Sequence, residues 1–203
     1  MEADRLNIII AGVGGQGNVV ASEVLATALS RAGYRVSVGE TFGASQRGGS
    51  VMSHVRAARD ATPGPLIPKG LADVILGFEP LETLRLLADY GRETTRVLVN
   101  PRPVYPLAVQ QGQARYPEAA ALMAKLTGLA AEVLSVDATG LARQAGDIRA
   151  QNLAMVGALV GSGWLPVGAA VVERVLGERF AEDVLRLNLE AFRLGREQVR
   201  QPA

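Results

Sequence analysis

Glycines 12, 14 and 17 follow directly on the apolar run Ile8-Ile9-Ile10-Ala11 and stand at G-x-G-x-x-G spacing. At that spacing the first glycine permits a tight turn, the second lets a ligand approach the backbone, and the third lets helix and strand pack closely. Amide groups opening the next helix favour an anion. Gly12, Gly14, Gly15, Gln16 and Gly17 are therefore the candidate cofactor-binding residues. A second cluster, Phe42-Gly43-Ala44-Ser45-Gln46-Arg47-Gly48-Gly49-Ser50, is one that a standard dinucleotide-binding domain does not call for. It has too few core-forming side chains to pack, so its chemistry points to a ligand or another chain. Arg47 offers a planar fork for carboxylate or phosphate, and Gln46 can both donate and accept. Ser45, Gln46, Arg47, Gly48, Gly49 and Ser50 are the candidate interface or cavity residues, and His54 on the strand beyond is grouped with them.

Each feature also has a plainer reading, which for the loop Phe42–Ser50 is a long surface turn. The turn can cradle NAD, hold another anionic or CoA-type ligand, or simply join strand to helix. An NAD site wants an acid ending the second strand; Glu40 is close to that place but runs into the glycine-rich loop. A lone histidine on a strand is more often packed and hydrogen-bonded than a general base. Asp137 reads as a helix cap, Asn152 as hydrogen-bonded at a contact, and Trp164 as a packing anchor. No nucleophile–base pair, carboxylate dyad or metal cluster emerges, so no catalytic residue is assigned.

The elements that must position these groups alternate. Strands are expected over Leu6–Ala11, Tyr34–Gly39, Ser50–Ala57, Ala72–Gly77, Thr95–Asn100 and Ala131–Val136. Helices are expected over Gly15–Ala32, Glu79–Tyr90, Tyr116–Thr127 and Ala138–Gln144. Beyond them Ile148–Gly161, Val167–Leu176 and Ala181–Arg200 form a helical C-terminal portion. This pattern implies an α/β fold, Rossmann-like, with a mostly parallel sheet and helices on both faces. Residues 1–203 are expected to form one domain.

Composition removes whole classes of function. Among 203 residues there is no cysteine and one histidine, which excludes disulfides, thiolate catalysis, chain-borne iron–sulfur clusters and histidine-rich metal sites. The net charge of +1 gives no reason to expect nucleic acid or a membrane as partner. The acid-bearing first residues are not those of a signal peptide, and a cytoplasmic location is expected.

Taken together, the GVGGQG turn (12–17), Glu40-Thr41-Phe42-Gly43, and Ser45-Gln46-Arg47-Gly48-Gly49-Ser50-Val51 with Ser53-His54-Val55-Arg56 resemble one family. It is the gamma subunit or domain of the 2-oxoacid:ferredoxin oxidoreductases, and the free-standing beta subunit of indolepyruvate:ferredoxin oxidoreductase is most similar. Gly77-Phe78-Glu79-Pro80, Asn152-x-x-Met155-x-Gly157 and Leu187-Asn188-x-x-Ala191-Phe192-x-x-Gly195 agree, so the likeness covers nearly the whole chain. The resemblance implies oxidative decarboxylation of a 2-oxoacid, with CoA as co-substrate and ferredoxin as acceptor. Thiamine diphosphate and [4Fe-4S] clusters would sit in a large catalytic partner, none in this chain. The rivals are an ATP-using adenylyltransferase of the ubiquitin-activating-enzyme-like fold and a stand-alone NAD-binding protein. The first would want aspartate for Mg²⁺ and often a cysteine, but no Asp lies between Asp4 and Asp60.

Overall fold

The computed structural model describes residues 4–42, 49–105 and 107–199. Its centre is strand β1 (Arg5–Val13), whose Ile8, Ile9 and Ile10 are all fully buried. Successive side chains of a strand point to opposite faces, so such a run is buried only where both faces are covered. Ile8 and Ile10 enter one core and Ile9 the other.

Strands β4 (Val74–Gly77), β5 (Arg96–Val99) and β6 (Glu132–Ser135) extend the sheet in parallel on one side of β1. On the other side lie β3 (Ser50–Ala58) and then β2 (Arg35–Phe42), giving the order β2-β3-β1-β4-β5-β6. The expected mostly parallel sheet is present, and β3 alone runs against its neighbours. The reason lies in the connection: a parallel return needs a crossover of a dozen or more residues, and the link from β2 to β3 is shorter than that.

Helix α1 (Asn18–Arg31) covers the first face together with α5 (Ala138–Ala145), α6 (Gln151–Gly161), α7 (Ala169–Arg179) and α8 (Glu182–Val199). The second face carries α2 (Pro80–Tyr90) and α4 (Ala119–Leu129). A single turn, α3 (Leu107–Gln110), lies in the connection after β5 and has no counterpart among the expected elements.

Several boundaries differ from expectation: β2 runs on to Phe42, a 3-10 turn over Ile148–Ala150 precedes α6, and α7 is shifted to Ala169–Arg179. Two further differences have a clear local cause. Helix α1 starts at Asn18 and not at Gly15, because Gly15 and Gly17 have φ of 100° and 82°, outside the right-handed helix region. Helix α4 starts at Ala119 and not at Tyr116, where Pro117 bars the preceding residue from helical backbone. The expected Asp137 cap is present, accepting from the Gly140 amide at 2.9 Å. No helix among the described residues is long and apolar enough to cross a membrane.

Candidate functional site

The glycine turn closes on itself. Gln16, buried, accepts from the Val13 amide at 2.7 Å through Oε1 and donates to the Phe78 carbonyl at 2.9 Å through Nε2. The Gln16 amide returns to the Val13 carbonyl at 3.1 Å, and the Gly14 amide donates to Gly49 at 2.9 Å. Helix α1 leaves β1 on one face and α2 leaves β4 on the other. The gap between the C-terminal ends of β1 and β4 is thus the switch point where open α/β sheets receive ligands. Here the Gln16 side chain spans it.

Two glycines of the motif, Gly12 and Gly17, serve packing. A methyl at Gly12 would stand 2.6 Å from Asn18 Oδ1. One at Gly17 would stand 2.5 Å from Asn152 Nδ2, the amide that donates to the Gly17 carbonyl. Asn152 is therefore the contact residue expected, holding the N-terminus of α6 against that of α1. Left-handed backbone falls at Gly15 and Gly17, and not at Gly14. Gly15 is exposed and faces open space.

Residues Ser45, Gln46, Arg47 and Gly48 lie outside the described residues. The far end of their loop is described: Gly49 receives the Gly14 amide, and Ser50 pairs with Val13 where β3 begins. The two sequence clusters are therefore joined, by the antiparallel pairing of β1 with β3.

His54 takes the packed role. It is 1% exposed, accepts the Ile67 amide at Nδ1 (3.2 Å) and meets the Tyr90 ring edge-on, with 5.6 Å between ring centroids. Burial, and secondarily the Arg56 charge, push its imidazole below the ordinary range. In the isolated chain His54 is thus a core residue and not a surface group; its register partner is Ile9, well back from the turn.

Glu40, in the place of a ribose-binding acid, is already engaged, accepting from the hydroxyls of both Ser22 and Ser53. A cavity of about 180 Å³ opens beside Arg5, Asn7 and Asp60, at the opposite end of β1. A wider groove runs along α8 beside Asp147 and Arg186. Neither shares a residue with the turn.

Sequence reasoning missed a polar group on the same rim. Glu79, 1% exposed, caps α2 by accepting the Glu82 amide at 2.8 Å through Oε2, and its Oε1 accepts from the Tyr116 hydroxyl. Burial raises the Glu79 carboxyl above its ordinary range, against the opposing pull of the Tyr116 bond, and burial likewise raises the Tyr116 phenol. Asn100, at the end of β5, donates to Thr139, whose hydroxyl reaches Gln151 at the start of α6. Glu79 before Pro80 was readable as a helix cap; nothing local marks Tyr116 as its partner.

Residues 7–198 match the family described as pyruvate ferredoxin/flavodoxin oxidoreductase. The chain is 40% identical over 191 residues to the indolepyruvate oxidoreductase subunit IorB of Archaeoglobus fulgidus, covering 94% of each. It is 39% identical over 191 residues to the subunit of the same name from Thermococcus kodakarensis, covering 93% of each. Among solved structures, 2-oxoglutarate:ferredoxin oxidoreductase from Magnetococcus marinus, determined with 2-oxoglutarate, coenzyme A and succinyl-CoA bound, superposes with a TM-score of 0.71 at 26% identity. That match covers 98% of this chain and 31% of the other. The gamma subunit of keto/oxoacid ferredoxin oxidoreductase from Geobacter sulfurreducens shares the fold, with a TM-score of 0.68 at 21% identity over 96% of this chain and 98% of that one.

Proposed function

The chain belongs to the pyruvate ferredoxin/flavodoxin oxidoreductase family, and we propose that within it the chain is the subunit of an indolepyruvate:ferredoxin oxidoreductase that carries no cofactor of its own. The observation carrying this reading is the match to subunit IorB over 94% of both chains. The residue chemistry agrees. With no cysteine, the chain offers no thiolate for a [4Fe-4S] cluster. Clusters and thiamine diphosphate are assigned to the large catalytic partner, through which electrons would reach ferredoxin.

This chain's own part is to complete the cavity in which the acyl group passes to CoA. The glycine turn supports that part as a rigid node. Its Val13, Gly14 and Gln16 amides are bonded within the protein, so its role is to set the 43–48 loop and the first turn of α1 against the partner. Arg47 is the residue proposed to touch the partner or CoA.

The test is co-expression with the thiamine- and cluster-bearing subunit. The complex should reduce ferredoxin in the presence of indolepyruvate and CoA; the chain alone should not. Turnover by the isolated chain, or failure of the two to associate, would sink the proposal. Within the complex, Arg47→Ala should weaken assembly or raise the KM for CoA without altering the melting temperature. A polar loop substitution away from the core seldom costs more than about 0.5 kcal/mol of stability. Arg47→Lys should restore only part, since it keeps the charge and loses the fork. Normal assembly and kinetics for Arg47→Ala would remove the loop from the site.

A further inference from the structure

Tyr105 is about half exposed, yet its position is closely specified. Its ring stands edge-on to Tyr116, with 5.2 Å between centroids and 87° between planes, and Gln110 Nε2 donates to its carbonyl at 2.7 Å. Tyr116 is in turn fixed by donating its hydroxyl to Glu79, a buried carboxylate one residue beyond Phe78. The Phe78 carbonyl is the one that receives Gln16 of the glycine turn. A continuous set of contacts therefore runs from the turn, through a buried acid, to an exposed aromatic ring on the same rim of the sheet.

We infer that Tyr105 is an aromatic anchor that inserts into an apolar slot of the catalytic subunit, held ready by Tyr116 and Glu79. The inference rests on the subunit reading above and gives it a second contact beside the 43–48 loop. Large aromatic side chains with few rotatable bonds are the commonest energetic centres of protein interfaces, because much area is buried for little ordering entropy. A carboxylate kept out of water costs free energy unless it is hydrogen-bonded, and the Tyr116 hydroxyl and the Glu82 amide supply those bonds to Glu79, which fixes Tyr116 in place. The occupant is indicated by the 2-oxoglutarate oxidoreductase, in which the matching region is 31% of one longer chain. There the rest of that chain is joined covalently; here the corresponding partner must be met through a surface, and this rim already carries the turn and Gly49.

The experiment measures the affinity of the intact chain for its catalytic subunit. Tyr105→Ala should weaken binding by about tenfold or more, with only a small change in melting temperature, because half of the side chain is exposed and its ring contact is with Tyr116. Tyr105→Phe, which keeps the ring, should bind within about twofold of wild type. Tyr116→Phe keeps its ring but releases Glu79, and should fall between the two. Leu129→Ala is the control: it removes an equally exposed apolar side chain, 54% exposed, that closes α4 just before β6 begins, at the other end of the sheet. Tyr105→Ala binding as wild type, or Leu129→Ala losing as much, overturns the anchor while the subunit reading stands. Absence of a complex with the wild-type chain overturns both.

Discussion

Two regions of this molecule depend on glycine, for different physical reasons. In the turn between β1 and α1, glycine supplies left-handed backbone at Gly15 and Gly17 and leaves room for the Gln16 and Asn18 side chains over Gly12. In the crossing of α6 with α8, every glycine backbone is ordinary helix and the need is proximity alone. A methyl at Gly157 would run into the Phe192 carbonyl, one at Gly195 into that of Ala154, and one at Gly161 into that of Arg196. The helices touch backbone to backbone, a distance at which Cα–H groups approach carbonyls. The turn is bounded by polar side chains that can shift; the crossing is bounded by carbonyls that cannot shift without moving a helix. Two of these glycines belong to the spaced motifs that sequence alone could not explain, Asn152-x-x-Met155-x-Gly157 and Ala191-Phe192-x-x-Gly195.

The largest effect should therefore come from the crossing. Gly195→Ala or Gly157→Ala must drive α6 and α8 apart, and each is expected to cost about 3 kcal/mol, the upper end of overpacking penalties. Urea unfolding measures it; a loss below about 1 kcal/mol would mean the helices separate easily, and the contrast with the turn would fail.

In the turn the expected losses are smaller and graded. Gly17→Ala should cost about 2 kcal/mol, from left-handed backbone plus the clash with Asn152. Gly15→Ala, with the same kind of strain and open space around it, should cost about 1 kcal/mol. Their difference belongs to Asn152, so the Gly17→Ala and Asn152→Ala changes should be non-additive in a double-mutant cycle. Additive losses would place the whole penalty in the backbone.

Gln16→Leu distinguishes a structural turn from a binding one. It leaves the Val13 amide and Phe78 carbonyl without their partner, at about 2 kcal/mol. A variant as stable as wild type in denaturant, in a complex that has lost activity, would show that the turn serves a ligand directly.

The smallest effect is pH-dependent and lies in the antiparallel half of the sheet. His54 has its affinity for a proton lowered in the folded chain by burial and by Arg56. Below about pH 6.5, the ordinary histidine value, the unfolded chain binds a proton that the folded chain declines. Stability should thus fall as pH drops from about 6.5 toward the depressed folded value, at no more than about 1.4 kcal/mol per pH unit. His54→Gln, which cannot titrate, should show a shallower slope between pH 7 and 5, whatever its absolute stability. Equal slopes would place the pH dependence elsewhere.

Much of the fold could be read from local signals. The isoleucine run announced a doubly covered strand, Gly77-Phe78-Glu79-Pro80 marked a strand end and a helix start, and Asp137 was legible as a cap because the amide it receives is three residues away. The site was legible only in part. Both glycine clusters could be singled out by composition, but their bond through Gly14 and Gly49 depends on β3 pairing with β1, which an intervening helix and strand conceal. His54 drew attention as the only histidine, and composition could not show that Ile67 and Tyr90 close over it.

Sequence by itself determined most of the elements and the chemistry this chain lacks. Periodicity, glycine and proline act over a few residues, and an absent cysteine is absent in any fold. Tertiary structure decided what the conspicuous residues do. Gln16 could have lined a nucleotide cradle; it became a bridge because β4 lies beside β1, bringing within reach a carbonyl 62 residues away. Tyr116 could have opened a helix; it holds Tyr105 in place because Glu79, 37 residues earlier, is buried beneath it. Such pairings depend on strand order and on which face each helix takes. Many distant contacts settle these together, and no short stretch of sequence encodes them.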